Sequence, residues 1–401
     1  MLTASLLLTD SLTAQPASRP FPQHIDYVAG SIKPTIIAQS KLDDSVCSFY
    51  DSWKERYINN DCGDGECYVW FERPGKKQCV SEGQGYGMII VALMAGYDTS
   101  AKAIYDGLFR YYKAHPSNYN PHLMAWAQTK DFKDIDKTSA TDGDMDIAYS
   151  LLLAHKQWGS NGSINYLLQA KEMIAAIMKE EINPQTFSIL LSDAIEPDSK
   201  DYFDTRSSDF MPAHFKAFEK YSGNMNWQKV IDTNYKLFNF LQKEYSPDAG
   251  LVPDFIININ KKAEPAHPSF LESRYDCFYN YNACRVPWRI ATDFLLNGDE
   301  RSKDFVEKIN EWIKETTQSK PDNISAGYNL QGDDLKNRNF EAISFIAPFA
   351  VAAMVDSKNQ VWLNDLWNYI EGFDIDQFDY YDNSIKMISL LLLSGNYWNP
   401  S

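Results

Sequence analysis

The 401-residue sequence has no apolar run long enough to cross a bilayer. Its longest runs, such as Leu390, Leu391, Leu392 and Leu393, fall far below the roughly 18 residues of a membrane span. Cations are also in short supply: 38 Lys and Arg face 54 Asp and Glu, a formal net charge of −16. Phosphate binding needs clustered cations, so nucleic acid is excluded as the main partner. No Gly-, Ser- or Pro-rich linker divides the chain, no fixed period marks a helical solenoid, and no convincing run of alternating strands occurs. What is present is 44% hydrophobic and 14% aromatic, ample for one packed core and too apolar for a disordered chain.

Cysteine is sparse but unevenly placed. Four of the six, Cys47, Cys62, Cys67 and Cys79, lie in the first eighty residues, which in an exported protein suggests one or two disulfides. The pairing of Cys277 and Cys284 is left open. Zinc is disfavoured because no His lies in that stretch and the Cys62 to Cys67 spacing exceeds a Cys-x-x-Cys pair. The acidic loop of Asn59, Asp61, Asp64 and Glu66 lacks the ligand spacing of an EF-hand and reads as a solvated turn. No metal and no cofactor are expected. Residues 1–27 read as a signal-like or disordered segment. Leu6, Leu7 and Leu8 form a short apolar stretch and Leu12-Thr13-Ala14 a candidate cleavage site, but Asp10 interrupts and a basic start is missing. A secreted or periplasmic monomer is the expectation.

Apolar residues three and four apart mark twelve amphipathic segments, near 42–58, 84–97, 99–114, 143–157, 164–181, 210–222, 226–244, 285–296, 301–318, 339–354, 358–370 and 383–395. Breaks such as Asn183-Pro184, Gly223-Asn224 and Gly298-Asp299 fall between them. Six antiparallel helix pairs predict an all-α domain over residues 28–401, an (α/α)6 barrel. Inner helices of such a barrel are walled all round, as residues 88–94 suggest. Outer ones carry a wet face, as the charged residues 302–315 suggest.

Two stretches put polar residues where a scaffold wants apolar ones. In Ser81-Glu82-Gly83-Gln84-Gly85-Tyr86-Gly87-Met88, a carboxylate opening a helix is ordinary capping chemistry. Three interleaved glycines, costly in a helix, imply close approach of backbone or ligand. In Ala140-Thr141-Asp142-Gly143-Asp144-Met145-Asp146, three acids alternate at a helix start. The apolar run that follows leaves too few oxygens for calcium, and Thr141 or Asp142 also suits an N-cap.

Together these motifs, with Ile147-Ala148 and Ser150-Leu151-Leu152 leading to Trp158, resemble glycoside hydrolase family 8. Leu123-Met124-Ala125-Trp126, Arg285-Val286-Pro287-Trp288-Arg289, and Tyr380-Tyr381 leading to Ser394-Gly395-Asn396 extend the resemblance over roughly residues 40–398. It implies inverting, endo-acting hydrolysis of a β-1,4-linked glucan, cellulose-like or mixed-linkage, with chitosan as an alternative substrate. Inversion needs a protonated acid and a second carboxylate ~6.5–9.5 Å away with water between. By resemblance Glu82 is the acid, and Asp142 holds the distorted sugar.

The base departs from better-known members. They keep an Asp where this chain reads Asn282, in Tyr281-Asn282-Ala283-Cys284-Arg285, and an amide is no useful base. The departure resembles a subfamily, chitosanases included, whose base is a Glu in an inserted loop just upstream. Glu272 is the matching candidate, with Asp276 on the same loop as its rival. Loss of the usual base also leaves room for a catalytically silent glycan-binding protein. Trp126, Tyr281, Tyr380 and Arg285 occupy family-like cleft positions, the rings suited to stacking on sugar faces. Trp158 and Trp288 read as core, and His214 as either a cleft or a structural residue.

Overall fold

The computed structural model describes residues 16–73, 75–335 and 342–401. The signal-like stretch at residues 1–14 lies outside them. Twelve α-helices appear among the described residues: α1 (Gln39–Tyr57), α2 (Ser81–Leu93), α3 (Ala101–Ala114), α4 (Thr141–Trp158), α5 (Tyr166–Glu180), α6 (Pro212–Ser222), α7 (Asn226–Tyr245), α8 (Val286–Asn297), α9 (Glu300–Thr316), α10 (Ile343–Ala353), α11 (Gln360–Glu371) and α12 (Tyr380–Leu393). Each matches a segment expected from apolar spacing.

Local chemistry sets several of the boundaries. Pro212 and Pro287 open α6 and α8, where a missing N–H costs nothing. Gly223 and Gly298 end the same helices with φ of +69°, a conformation that suits glycine. Asp379 caps α12 by accepting the Tyr381 N–H at 3.0 Å.

The even-numbered helices contact one another in a ring: α2 on α4, α4 on α6, α6 on α8, α8 on α10, α10 on α12, and α12 back on α2. The odd-numbered helices cover them from outside, α3 on α2, α5 on α4, α7 on α6, α9 on α8, α11 on α10 and α1 on α12. Burial follows this division. Every residue of α10 is buried, whereas α9 buries only a stripe that includes Phe305, Val306, Ile309 and Ile313. The chain is therefore mostly helical, with one extensive core. The packed region also begins upstream of residue 28: the Ser18 N–H donates to the Gln157 carbonyl at 2.9 Å, and Phe21 N–H to Ala95 at 2.8 Å.

Strands that the sequence does not reveal are present in the loops. They are β1 (Ile58–Asn59), β2 (Tyr68–Val69), β3 (Lys77–Val80), β4 (Ala127–Thr129), β5 (Asp134–Asp136), β6 (Thr205–Arg206), β7 (Phe255–Ile257) and β8 (Glu264–Pro265). They form three small antiparallel sheets, β1-β2, β3-β4-β5 and β6-β7-β8. At two to four residues each, they are too short for alternation to register. The six cysteines are free thiols, so the expected disulfides do not form.

Candidate active site

The first turns of α2 and α4 meet at unusually short range. A Cβ on Gly143 would lie 2.4 Å from the Ser81 hydroxyl oxygen, and one on Gly85 would lie 2.7 Å from the Asp146 Cβ. Any side chain there would force the helices apart, so the glycines bring Glu82 and Asp142 to the same opening. Gly83 does the same toward α12, since its Cβ would touch the Tyr380 ring at 3.0 Å. The expected close approach is thus of helix on helix.

Arg285, in the 3-10 turn Ala283–Arg285 before α8, joins these groups. One guanidinium nitrogen, Nη1, donates to Glu82 Oε2 and to Asp142 Oδ2, each at 2.8 Å, and to the Tyr86 hydroxyl at 3.2 Å. The other, Nη2, donates to Ser208 Oγ and Asn282 Oδ1, each at 2.8 Å. Its side chain is 2% exposed, so its charge is fixed in place by the acids around it. Tyr380 Oη donates to the remaining oxygen of Glu82.

The loop acids separate cleanly. Glu272 has a 45% exposed side chain at the groove; its Oε1 accepts from Arg206 Nη2 at 3.1 Å and its Oε2 from Asn282 Nδ2 at 2.8 Å. Asp276 is fully buried and turned inward. Its oxygens accept backbone N–H groups of Leu271 (2.7 Å), Glu272 (2.9 Å) and Ser273 (2.8 Å), so it shapes the loop that presents its neighbour. Asp254, just ahead of β7, shapes the following segment in the same way, accepting the N–H groups of Asn280 (3.0 Å), Asn282 (3.1 Å) and Ala283 (2.7 Å). Burial pushes Asp254 up to about 8.

Electrostatics drive the two helix-borne acids apart. Burial raises Glu82 above the ordinary carboxylic value, with Asp142 adding to the rise and Arg285 opposing it. Burial acts on Asp142 in the same direction, but Arg285 and Arg206 outweigh it and hold Asp142 below its usual value. One carboxyl is thus biased toward its protonated form and its neighbour toward its charged form, so the pair can offer a proton donor beside a fixed negative charge.

Glu82, Asp142, Glu272, Trp126, Tyr281, Asn282, Arg285 and Tyr380 all line one open groove of about 710 Å³. Trp158 and Trp288 are buried in the core. His214 is structural: it stacks on Tyr149 with ring centroids 3.8 Å apart, and its Nε2 lies 2.9 Å from Asp146 Oδ1. Sequence reasoning missed Arg206, Ser208 and Lys77, which also border the groove or grip its acids. The sequence signal for the first two is the run of six polar residues at 204–209, which the structure shows to be nearly all buried.

Residues 31–395 match the model of "Glycosyl hydrolases family 8", and the chain belongs to that family. It is 45% identical to a "Beta-glucanase" of Niallia circulans over 98% of this chain and 95% of that protein. It is 40% identical to an "Endoglucanase" of a Bacillus species, over 95% of this chain and 82% of that one. Among solved structures it resembles the apo "Beta-1,3-1,4-glucanase" of a Paenibacillus species, at 46% identity and a TM-score of 0.91, over 95% and 99% of the two chains.

Proposed function

We propose that the protein is a secreted, inverting endo-glucanase that cleaves mixed-linkage or cellulose-like β-glucan. We read its ring of inner helices as an (α/α)6 barrel. Glu82 protonates the leaving glycosidic oxygen. Glu272 removes a proton from the water that attacks the anomeric carbon from the opposite face, and Asp142 holds the sugar at the cleavage point through hydrogen bonds that strengthen as charge develops. Trp126 and Tyr281 offer sugar platforms, and Tyr380 orients the acid.

The observation that carries this reading is the hydrogen-bonded chain from Glu82 through Arg285 and Asn282 to Glu272, with each link at 2.8 Å. It sets two carboxyls on opposite sides of one guanidinium and one amide. The amide also explains the departure from the family's usual aspartate. Arg285 can only donate and a carboxylate only accept, so the residue between them must do both. An Asp at 282 would face Glu272 with like charge. The same arrangement supports membership of the subfamily whose base comes from an upstream loop, and the sequence identity to glucanases favours glucan over chitosan.

The test is reducing-end release from lichenan, with the anomer first formed followed by NMR. Wild type should release the inverted product. Glu82→Gln and Glu272→Gln should each lower kcat by about 10³-fold, the middle of the range for general acid or base removal. Binding of β-glucan that persists in both variants and in a wild type without turnover would instead support the silent glycan-binding reading.

A further inference from the structure

Among the described residues four cations border the groove, and three of them are committed to carboxylates. Arg285 is held by Glu82 and Asp142 at 2.8 Å, Arg206 by Glu272 at 3.1 Å, and Arg73 donates through Nε to Asp379 at 2.7 Å. Lys77 differs: among the described residues it forms no ion pair. Its Nζ lies instead 4.1 Å from the centroid of the Trp126 ring and 5.5 Å from that of Phe71. Burial lowers its pKa and Arg73 adds to that, while Glu272 and Glu82 oppose it. Lys77 thus lines the same groove as both proposed catalytic carboxyls without forming an ion pair with either among the described residues.

The position is fixed by backbone. Lys77 opens β3 and pairs with Thr129 of β4, while the Trp126 carbonyl accepts the Ser81 N–H at 2.9 Å. The platform ring and the ammonium are therefore anchored beside the turn that carries Glu82. When a pyranose stacks on Trp126, the ammonium must leave the ring face. Its stem, fixed at the start of β3 beside Trp126, keeps it within reach of the edge of the sugar, where the substituents lie.

We propose that Lys77 is a specificity-determining charge filter that admits neutral, hydroxyl-bearing sugars to the Trp126 face and rejects protonated amino sugars. This rests on the glycanase reading above. A hydroxyl accepts a hydrogen bond from the ammonium, whereas a glucosamine ammonium has no lone pair to offer and meets it with like charge. The chain's net charge of −16 attracts a cationic polymer from a distance, so rejection has to act inside the groove.

The experiment compares wild type, Lys77→Gln and Lys77→Arg at mildly acidic pH, where glucosamine is protonated. It records kcat/KM on lichenan and on chitosan, and the inhibition constant of glucosamine oligomers against lichenan hydrolysis. Melting temperatures check the fold. Lys77→Gln should tighten inhibition by glucosamine oligomers about tenfold relative to its own KM for lichenan and raise the chitosan-to-lichenan ratio wherever chitosan is cleaved. Lys77→Arg should keep the wild-type ratios. Equal ratios in wild type and Lys77→Gln, or an Arg variant that behaves like the Gln one, would overturn the filter alone. So would a wild type that cleaves chitosan as well as lichenan. A wild type that cleaves neither polymer would overturn the glycanase reading, and the filter with it.

Discussion

Asp142, Asp144 and Asp146 stand two residues apart at the start of α4, all buried, and the protein accommodates them in two different ways. Asp142 and Asp146 are matched by arginine. Arg289 binds Asp146 through both nitrogens, at 2.7 and 2.6 Å, with His214 at 2.9 Å, and these partners outweigh burial to hold Asp146 down to about 2. Asp144 points the other way, toward Glu181 at the end of α5, and among the described residues neither forms an ion pair with a cation. Met124 N–H (2.9 Å) and the Ser139 hydroxyl donate to the pair. Burial and the neighbouring Glu181 raise Asp144 well above its usual value, while burial and the charge of Asp193 raise Glu181 to about 8 even though its contact with Asp144 lowers it, which favours a proton shared between the two. A buried acid can be matched by a cation or kept neutral. At Asp142 and Asp146 the protein uses the first solution, and at the Asp144–Glu181 wall beside them the second.

The comparison is broken most severely at Asp146. Asp146→Asn removes the only carboxylate paired with Arg289 among the described residues and leaves a buried guanidinium with a neutral partner. Loss of one member of a buried pair costs about 3–5 kcal/mol, so urea unfolding should show a fall of that size. A loss under about 1 kcal/mol would mean that the charge is compensated elsewhere. Because Arg289 shares α8 with the segment following Arg285, activity should fall as well.

The proton-sharing wall predicts a smaller effect that depends on pH. Glu181 is raised in the folded chain, from 4.5 to about 8, so its contribution to stability is fully present below the unfolded value. As pH rises through that window the unfolded chain gives up the proton while the folded chain retains it, and stability falls until about pH 8. Asp209, raised to about 7, and Asp382, to about 6, add to the same slope, and Asp193 faces the pair with its own charge. Glu181→Gln should therefore flatten part of the decline, gaining about 1–3 kcal/mol relative to wild type between pH 5 and pH 9. Identical pH–stability curves for the two proteins would show that the pair shares no proton.

Legibility in the sequence followed how local each feature was. The helices were readable because the apolar spacing of each lies within a single segment, and Glu82 and Asp142 because polar residues at the head of very apolar helices are conspicuous. The divergence of Asp142 from Asp144 was not readable, since it depends on which partner, Arg285 or Glu181, the fold delivers from more than 30 residues away. Glu272 and Asp276 were indistinguishable for a related reason. They share one loop, and only the path of its backbone decides that Asp276 collects three N–H groups while Glu272 faces the groove. The 204–209 polar run, which supplies Arg206 and Ser208, carries no helical spacing, and only the fold shows that it is buried against the groove.

The mildest change tests the charge-matched side at its weakest link. Asn282 accepts from Arg285 at one end and donates to Glu272 at the other, each at 2.8 Å. Asn282→Asp keeps the contact with Arg285 but turns the second into a contact between two carboxylates, one of which must take up a proton or move away. Arg206, 3.1 Å from Glu272, offsets part of the repulsion, so the site should survive with kcat/KM on lichenan lowered about tenfold, equivalent to ~1.4 kcal/mol. The loss should be greater at the acidic end of the profile, where one shared proton neutralises the acceptor. The same substitution placed on Glu272→Gln restores a carboxylate at the position where the family resemblance puts the usual base. If charge matching by Arg285 is sufficient to make a base, the double variant should recover part of the activity that Glu272→Gln loses. Recovery equal to none would mean that the loop geometry around Glu272, and not the presence of a charged oxygen beside Arg285, is what activates water.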